Sequence, residues 1–179
     1  RSDGIAGAQS KDPAPPLVPG HRSPFTVHAP GVTLPAMSCI FCEIIDGRAP
    51  ASVIYRDGTV MAFMALRPIA PGECLVIPVA HVDHFTDLDD AISQQIMVVA
   101  QRIGRRMRRH FGPERVGMVV HGYGVAHAHL IVVPQHGPDD ITSGRFGRIE
   151  GGRIVYSEAG VPLAERSELD RQAELLRKD

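Results

Sequence analysis

The residues able to do chemistry in this chain gather in two places. One is His127-Ala-His129-Leu-Ile-Val-Val-Pro134, an apolar run interrupted by two histidines. Read as a strand, the run puts 127, 129, 131 and 133 on one face, and Ala128, Leu130 and Val132 on the other, toward a core. His127 and His129 then stand about 7 Å apart. Two adjacent imidazoles are poor core residues and need polar partners or a ligand. The other place is Cys39-Ile-Phe-Cys42. A CxxC alone reads as a redox dithiol, half of a zinc site or two ordinary thiols. It opens the folded region with no strand before it, unlike a thioredoxin-type dithiol, and that favours metal. Structural zinc takes four nitrogen or sulfur donors. Cys74 lies inside the apolar Cys74-Leu-Val-Ile77 and reads as packing. His81, just past that segment, and His127 are the candidates for the remaining two donors. His84, three residues beyond His81, is the alternative.

The elements that must hold these groups can be read from the pattern. Cys39 to Ile45 reads as a helical knuckle. Ser52 to Tyr55 and Thr59 to Leu66 read as strands around Asp57-Gly58, a hairpin signal. Cys74 to Ile77 is a compact strand ended by Pro78. One long helix is expected over Asp89 to Phe111, with Ile92, Ile96, Val99, Ala100, Ile103 and Met107 on a single stripe. Acidic residues at its start and arginines at its end suit the helix dipole. Val116 to Val120 and His127 to Val133 complete the core strands, the latter broken by Pro134. Arg148 to Tyr156 reads as a hairpin turning at Gly151-Gly152. A short helix starts at Ser167, with Asp170 completing a capping box.

Composition narrows the possible functions. The 179 residues carry a net charge of −1 and a pI near 6.8, with no Trp. Phosphate-backbone binders are far more basic, so no nucleic-acid partner is expected. No apolar run reaches the length of a membrane span. Three cysteines do not make a disulfide scaffold and fit a reducing, cytoplasmic setting. Residues 1–36 hold seven of the fifteen prolines and lack periodicity. They are read as a vector-derived or disordered leader, 37–140 as the domain, and 141–179 as a C-terminal hairpin and helix extension.

Four stretches together resemble the histidine triad family. They are Cys39-Ile-Phe-Cys42-Glu-Ile-Ile-Asp-Gly, Val60-Met-Ala-Phe63, Leu75-Val-Ile-Pro78 with His81, and His127-Ala-His129 with Pro134. The resemblance covers residues 38 to 140 and points to the zinc-binding bacterial-type branch. It implies an α+β fold, an antiparallel sheet of about five strands with one long helix and a short C-terminal helix, in a homodimer. It implies a structural zinc on Cys39, Cys42, His81 and His127. His129 would then be the nucleophile that attacks an α-phosphorus and forms a nucleotidyl-histidine intermediate. The substrate would be a dinucleoside polyphosphate or a nucleoside phosphoramidate. Phe41 and Phe63 would flank the base.

The chain departs from the family pattern on the substrate side. Ile131 stands where the third strand histidine is usual, and Ala65 where an acidic residue usually binds the ribose hydroxyls. Gly122-Tyr-Gly-Val125 replaces a Gly-Gln-Ser-Val-like run, and His121 an asparagine. His121, Tyr123 and His136 are the candidates to replace the lost phosphate contacts. The alternative function is a nucleotide-binding regulatory module with weak or no catalysis.

Overall fold

The computed structural model describes residues 39–141, 147–156 and 161–178. The segment 1–36, read as a leader, lies outside the described residues. The elements are α1 (Ile40–Ile45), β1 (Val53–Arg56), β2 (Val60–Met64), β3 (Cys74–Pro78), α2 (Asp90–Phe111), β4 (Arg115–Val119), β5 (Leu130–Gln135), β6 (Gly147–Glu150), β7 (Arg153–Tyr156) and α3 (Arg166–Arg177). Strands β1 to β5 form one antiparallel sheet in the order β1-β2-β3-β5-β4, while β6 and β7 pair separately. This is the α+β architecture expected, with five strands and one long helix.

Both faces of the central strands are covered, which explains why β2 reads as an unbroken apolar run. Val60, Ala62 and Met64 face a core shared with Val99, Ile103 and Met107 of α2 and with Leu169, Ala173 and Leu176 of α3. Met61 and Phe63 face the other way, into a smaller cluster with Phe41 and Ile45 of α1. The side chain of Asp89 caps α2 by accepting from the Ala91 amide at 2.8 Å, and Gly112 ends it in the left-handed conformation at φ 61°. No helix among the described residues is long and apolar enough to cross a membrane.

The hairpin expected at Asp57-Gly58 forms, without a positive φ at Gly58, and three other local expectations are corrected. The Asp57 carboxylate closes the loop, accepting from the Thr59 and Val60 amides (both 2.7 Å) and the Tyr55 hydroxyl (2.6 Å). Burial would raise this carboxyl, but those donors outweigh it and hold it below the usual carboxylate range. The capping box at Ser167 is absent. α3 begins at Arg166 without a side-chain cap, because Asp170 accepts from the Ser52 hydroxyl at 2.6 Å. β5 begins at Leu130 rather than His127, since the Ala128 amide donates to Val82 O (2.7 Å), outside the β3 ladder. β5 also runs through Pro134 to Gln135. Beyond Val132 only β4 pairs with it, so proline interrupts no ladder on the β3 side.

Candidate metal centre and nucleophile site

The connection from β4 to β5 positions both histidines. Gly122 and Gly124 adopt φ of 75° and 97°, a left-handed backbone that glycine enters without strain. The chain then turns at Val125, whose carbonyl accepts from the His127 amide at 2.8 Å, and runs straight into β5. His127 is fully buried and His129 half-buried. The Phe41 ring stands edge-on to both, at centroid distances of 5.7 and 5.6 Å, so α1 packs over the face they share.

At His127 the sheet meets the CxxC knuckle. The sulfur, Sγ, of Cys39 lies 3.5 Å from His127 Nδ1, and that of Cys42 lies 3.7 Å from the same nitrogen and 3.3 Å from His81 Nδ1. The four donor atoms of Cys39, Cys42, His81 and His127 all lie within 4.8 Å of one another. The Pro78 carbonyl accepts from His127 Nε2–H at 2.9 Å, which fixes the tautomer and leaves the Nδ1 lone pair facing the sulfurs. Burial holds the His127 pKa below its ordinary value. The Pro78 carbonyl opposes that shift, and the neighbouring His81 and His129 add to it. The ring is thus kept neutral, as a metal ligand must be. Burial, then the adjacent Cys39, pushes the Cys42 thiol up. A thiol so raised resists ionising unless a cation relieves it, so the set suits a metal ion.

The remaining sulfur and histidine candidates lie elsewhere. Cys74 is fully buried in the core with its thiol pushed up by burial. His84 is exposed and caps the turn at Phe85–Asp87, bonding Thr86.

His129 faces a different environment. Its Nδ1–H donates to the His127 carbonyl at 2.8 Å, so the proton sits on Nδ1 and Nε2 carries the free lone pair. It lines a cavity of about 870 Å³, within the range of small-molecule sites. Ile40, Phe41, Ile44, Phe63 and Leu66 give this cavity an apolar wall, and Phe41 and Phe63 meet edge to face at 5.4 Å. His121 and Tyr123 line it from the exposed connection, with ring centroids 6.2 Å apart. Ile131 and Ala65 also face it, so these two departures from the family pattern lie in its lining beside His121 and Tyr123. His136 is not brought to the cavity. It is exposed beyond the far end of β5, where its amide donates to Asp140 at 2.7 Å. The antiparallel run that carries His129 into the cavity carries residue 136 away from it.

Three contributors were not legible in the sequence. The Pro78 carbonyl is backbone and has no side-chain signature. Arg67 and Arg166 line the cavity although they stand 99 positions apart in the chain.

Comparison with known proteins identifies the family and the fold. The family model described as HIT domain matches residues 46–137, just over half of the chain. The chain is 31% identical over 110 residues to "Protein hit" of Bacillus subtilis, spanning 59% of this chain and 76% of that protein. The crystal structure of a zinc-bound histidine triad family protein from Mycobacterium smegmatis superposes with a TM-score of 0.60 at 28% identity, covering 79% of this chain and 91% of that one. A HIT family protein from Bacillus anthracis gives a TM-score of 0.56 at 32% identity, covering 64% and 82%.

Proposed function

This chain belongs to the HIT domain family, and on that premise we propose that it is a nucleotide hydrolase or nucleotidyl transferase acting at an α-phosphorus through His129. The observation that carries this reading is the tautomer of His129. Its Nδ1–H is held by the His127 carbonyl, and its Nε2 is left unprotonated on a cavity with an apolar wall. A neutral imidazole so oriented attacks phosphorus, forms the phosphorus–nitrogen bond and displaces the leaving group. Water or another acceptor then breaks that bond and frees the nucleotide. The hydrogen bond to the His127 carbonyl strengthens as Nε2 becomes bonded and the ring acquires charge. Phe41 and Phe63 flank the base, and His121 and Tyr123 reach the phosphates from the β4–β5 connection. The substrate class is a dinucleoside polyphosphate or a nucleoside phosphoramidate.

The resident metal of this reading is zinc, held by Cys39, Cys42, His81 and His127. A tetrahedral zinc at about 2.3 Å from sulfur and about 2.0 Å from nitrogen sets sulfur–nitrogen edges of roughly 3.5 Å. The observed separations of 3.3, 3.5 and 3.7 Å fit it. When bound it is structural, clamping α1 to the segments around Pro78 and His127.

The test is incubation of the protein with a panel of labelled dinucleoside polyphosphates and nucleoside phosphoramidates, followed by mass spectrometry of the acid-labile adduct. A nucleotidyl group on the tryptic peptide containing His129 is expected. Ile131 favours the second reading, a nucleotide-binding regulatory module, because isoleucine offers the phosphate nothing. Nucleotide affinity without turnover anywhere in the panel would decide for it.

A homodimer is the assembly this reading carries. β4 is an edge strand, and Met118 and Val120 on and beside it are 45% and 43% exposed. Met97 and Val98 of α2 are 49% and 41% exposed. An apolar edge of this kind is usually covered. Light scattering is expected to give twice the chain mass; a monomer at micromolar concentration removes the dimer from the proposal.

A further inference from the structure

Two guanidiniums line the cavity with no carboxylate partner among the described residues. The Nη1 of Arg67 donates to the Val161 carbonyl. Arg166 donates to the Ser52 hydroxyl at 3.1 Å and the Pro50 carbonyl at 3.4 Å. Asp170 reaches this pair only through the same Ser52 hydroxyl. Every acceptor is neutral, and both charges face the same cavity.

The chain path puts the two arginines together. The Ala164 amide donates to the Leu66 carbonyl at 3.0 Å, and the Met64 amide to the Ser52 carbonyl at 3.0 Å. The segment from Val161 to Arg166 is therefore laced along the end of β2. Arg67 brackets Ala65-Leu66 on one side, and Arg166, over Pro50 and Ser52, on the other.

The sheet register places them away from His129. Phe63, Leu75 and Ile131 form one row across β2, β3 and β5. The row spans about 10 Å, two strand spacings. β2 and β5 are each antiparallel to β3 and so run in the same direction. His129 precedes the row on β5, whereas Arg67 follows it beyond β2. Imidazole and guanidiniums lie toward opposite ends of one cavity, with the apolar wall between them.

We propose that Arg67 and Arg166 form an anion subsite for a second phosphate, carried on the 2′ or 3′ oxygen of the substrate's sugar. This rests on the nucleotide reading above. The reacting phosphorus sits on the 5′ side, before His129. The base is uncharged and takes the apolar wall. An anion at the other end must then hang from the far side of the sugar. Guanidinium forks match phosphate oxygens in pairs, and a neutral-partnered arginine is free to add that contact. Glu73 also lines the cavity, with its carboxylate accepting from the Ile69 amide at 2.7 Å. It makes the subsite selective for a ligand that engages both arginines.

The test is calorimetric titration of the full-length, metal-loaded protein with adenosine 5′-monophosphate, adenosine 2′,5′-bisphosphate and adenosine 3′,5′-bisphosphate, and with the guanosine counterparts. One bisphosphate is expected to bind at least tenfold more tightly than its monophosphate. Arg67→Gln and Arg166→Gln are each expected to remove that preference, so that bisphosphate and monophosphate bind each variant equally. Both side chains also brace the C-terminal segment, so melting temperatures accompany the variants; the wild-type comparison stands without them. Equal affinity for monophosphate and both bisphosphates overturns the subsite and leaves the nucleotide reading intact, as does a preference that survives Arg67→Gln/Arg166→Gln. No binding of any of these nucleotides overturns both.

Discussion

The His129→Ala protein is expected to lose turnover on the most active substrate of the panel by on the order of a thousandfold or more, because a nucleophile has no partial substitute. Nucleotide affinity should change only a few-fold. The apolar cavity wall of Phe41, Phe63 and Leu66 is untouched by the substitution, and so is the backbone that carries His129. His129 is half-buried and belongs to neither apolar cluster, so the melting temperature should move little. This combination separates chemistry from folding. His127→Ala is predicted to fail differently, since it empties a fully buried position that bonds Pro78 and faces both sulfurs. It should cost stability and metal together. Single-turnover measurements check the first variant, and unchanged turnover there would discard His129 as nucleophile.

The second large effect is expected from the metal. Protein purified without chelator should contain about one zinc per chain by elemental analysis. A ligand that binds only the folded state at a thousand times its dissociation constant contributes about 4 kcal/mol. For a domain of this size each kcal/mol is worth about 2–4 °C. Chelation is therefore expected to lower the melting temperature by on the order of 10 °C. The sheet core with α2 and α3 should survive it, because none of Cys39, Cys42, His81 or His127 belongs to that core. The loss should concentrate in α1, which reaches the sheet through Phe41, Ile45 and the two sulfurs. Activity should fall with it, since Phe41 lines the cavity beside His129. Cys39→Ser/Cys42→Ser should reproduce both losses without chelator. A metal-free preparation whose melting temperature ignores chelator would show that the four donors hold no ion.

Much of this was legible in the sequence, for reasons particular to each element. The stripe on α2 from Ile92 to Met107 fixed the long helix, since a period of 3.6 with acidic residues at its start and arginines at its end admits few other structures. The hairpin at Asp57-Gly58 is legible as a turn; that the aspartate side chain closes it, without left-handed backbone at the glycine, is not. The alternation around His127 and His129 was right about the shared face, which Phe41 covers, although the regular ladder starts only at Leu130. His136 misled because closeness in sequence says little at the far end of an extended strand, where each residue adds about 3.3 Å.

The sequence by itself determined the donor types. CxxC, His81 and the paired histidines are soft or borderline ligands whose chemistry does not depend on where the chain takes them. It also determined that His129 would lead directly into one apolar strand, β5, and which positions had lost a polar side chain. Only the tertiary structure decided the rest. It brought Cys39 to within 3.5 Å of His127 across 88 positions. It left His84 and Cys74 out of that cluster, and it turned Arg166 of α3 onto the wall that Arg67 shares. It also chose the protons: backbone carbonyls at Pro78 and His127 take one N–H from each ring and leave the other nitrogen free. A carbonyl has no residue identity, and a contact across 88 positions has no local pattern. Such choices are made when distant segments close on a common core, and they appear only once the chain has folded.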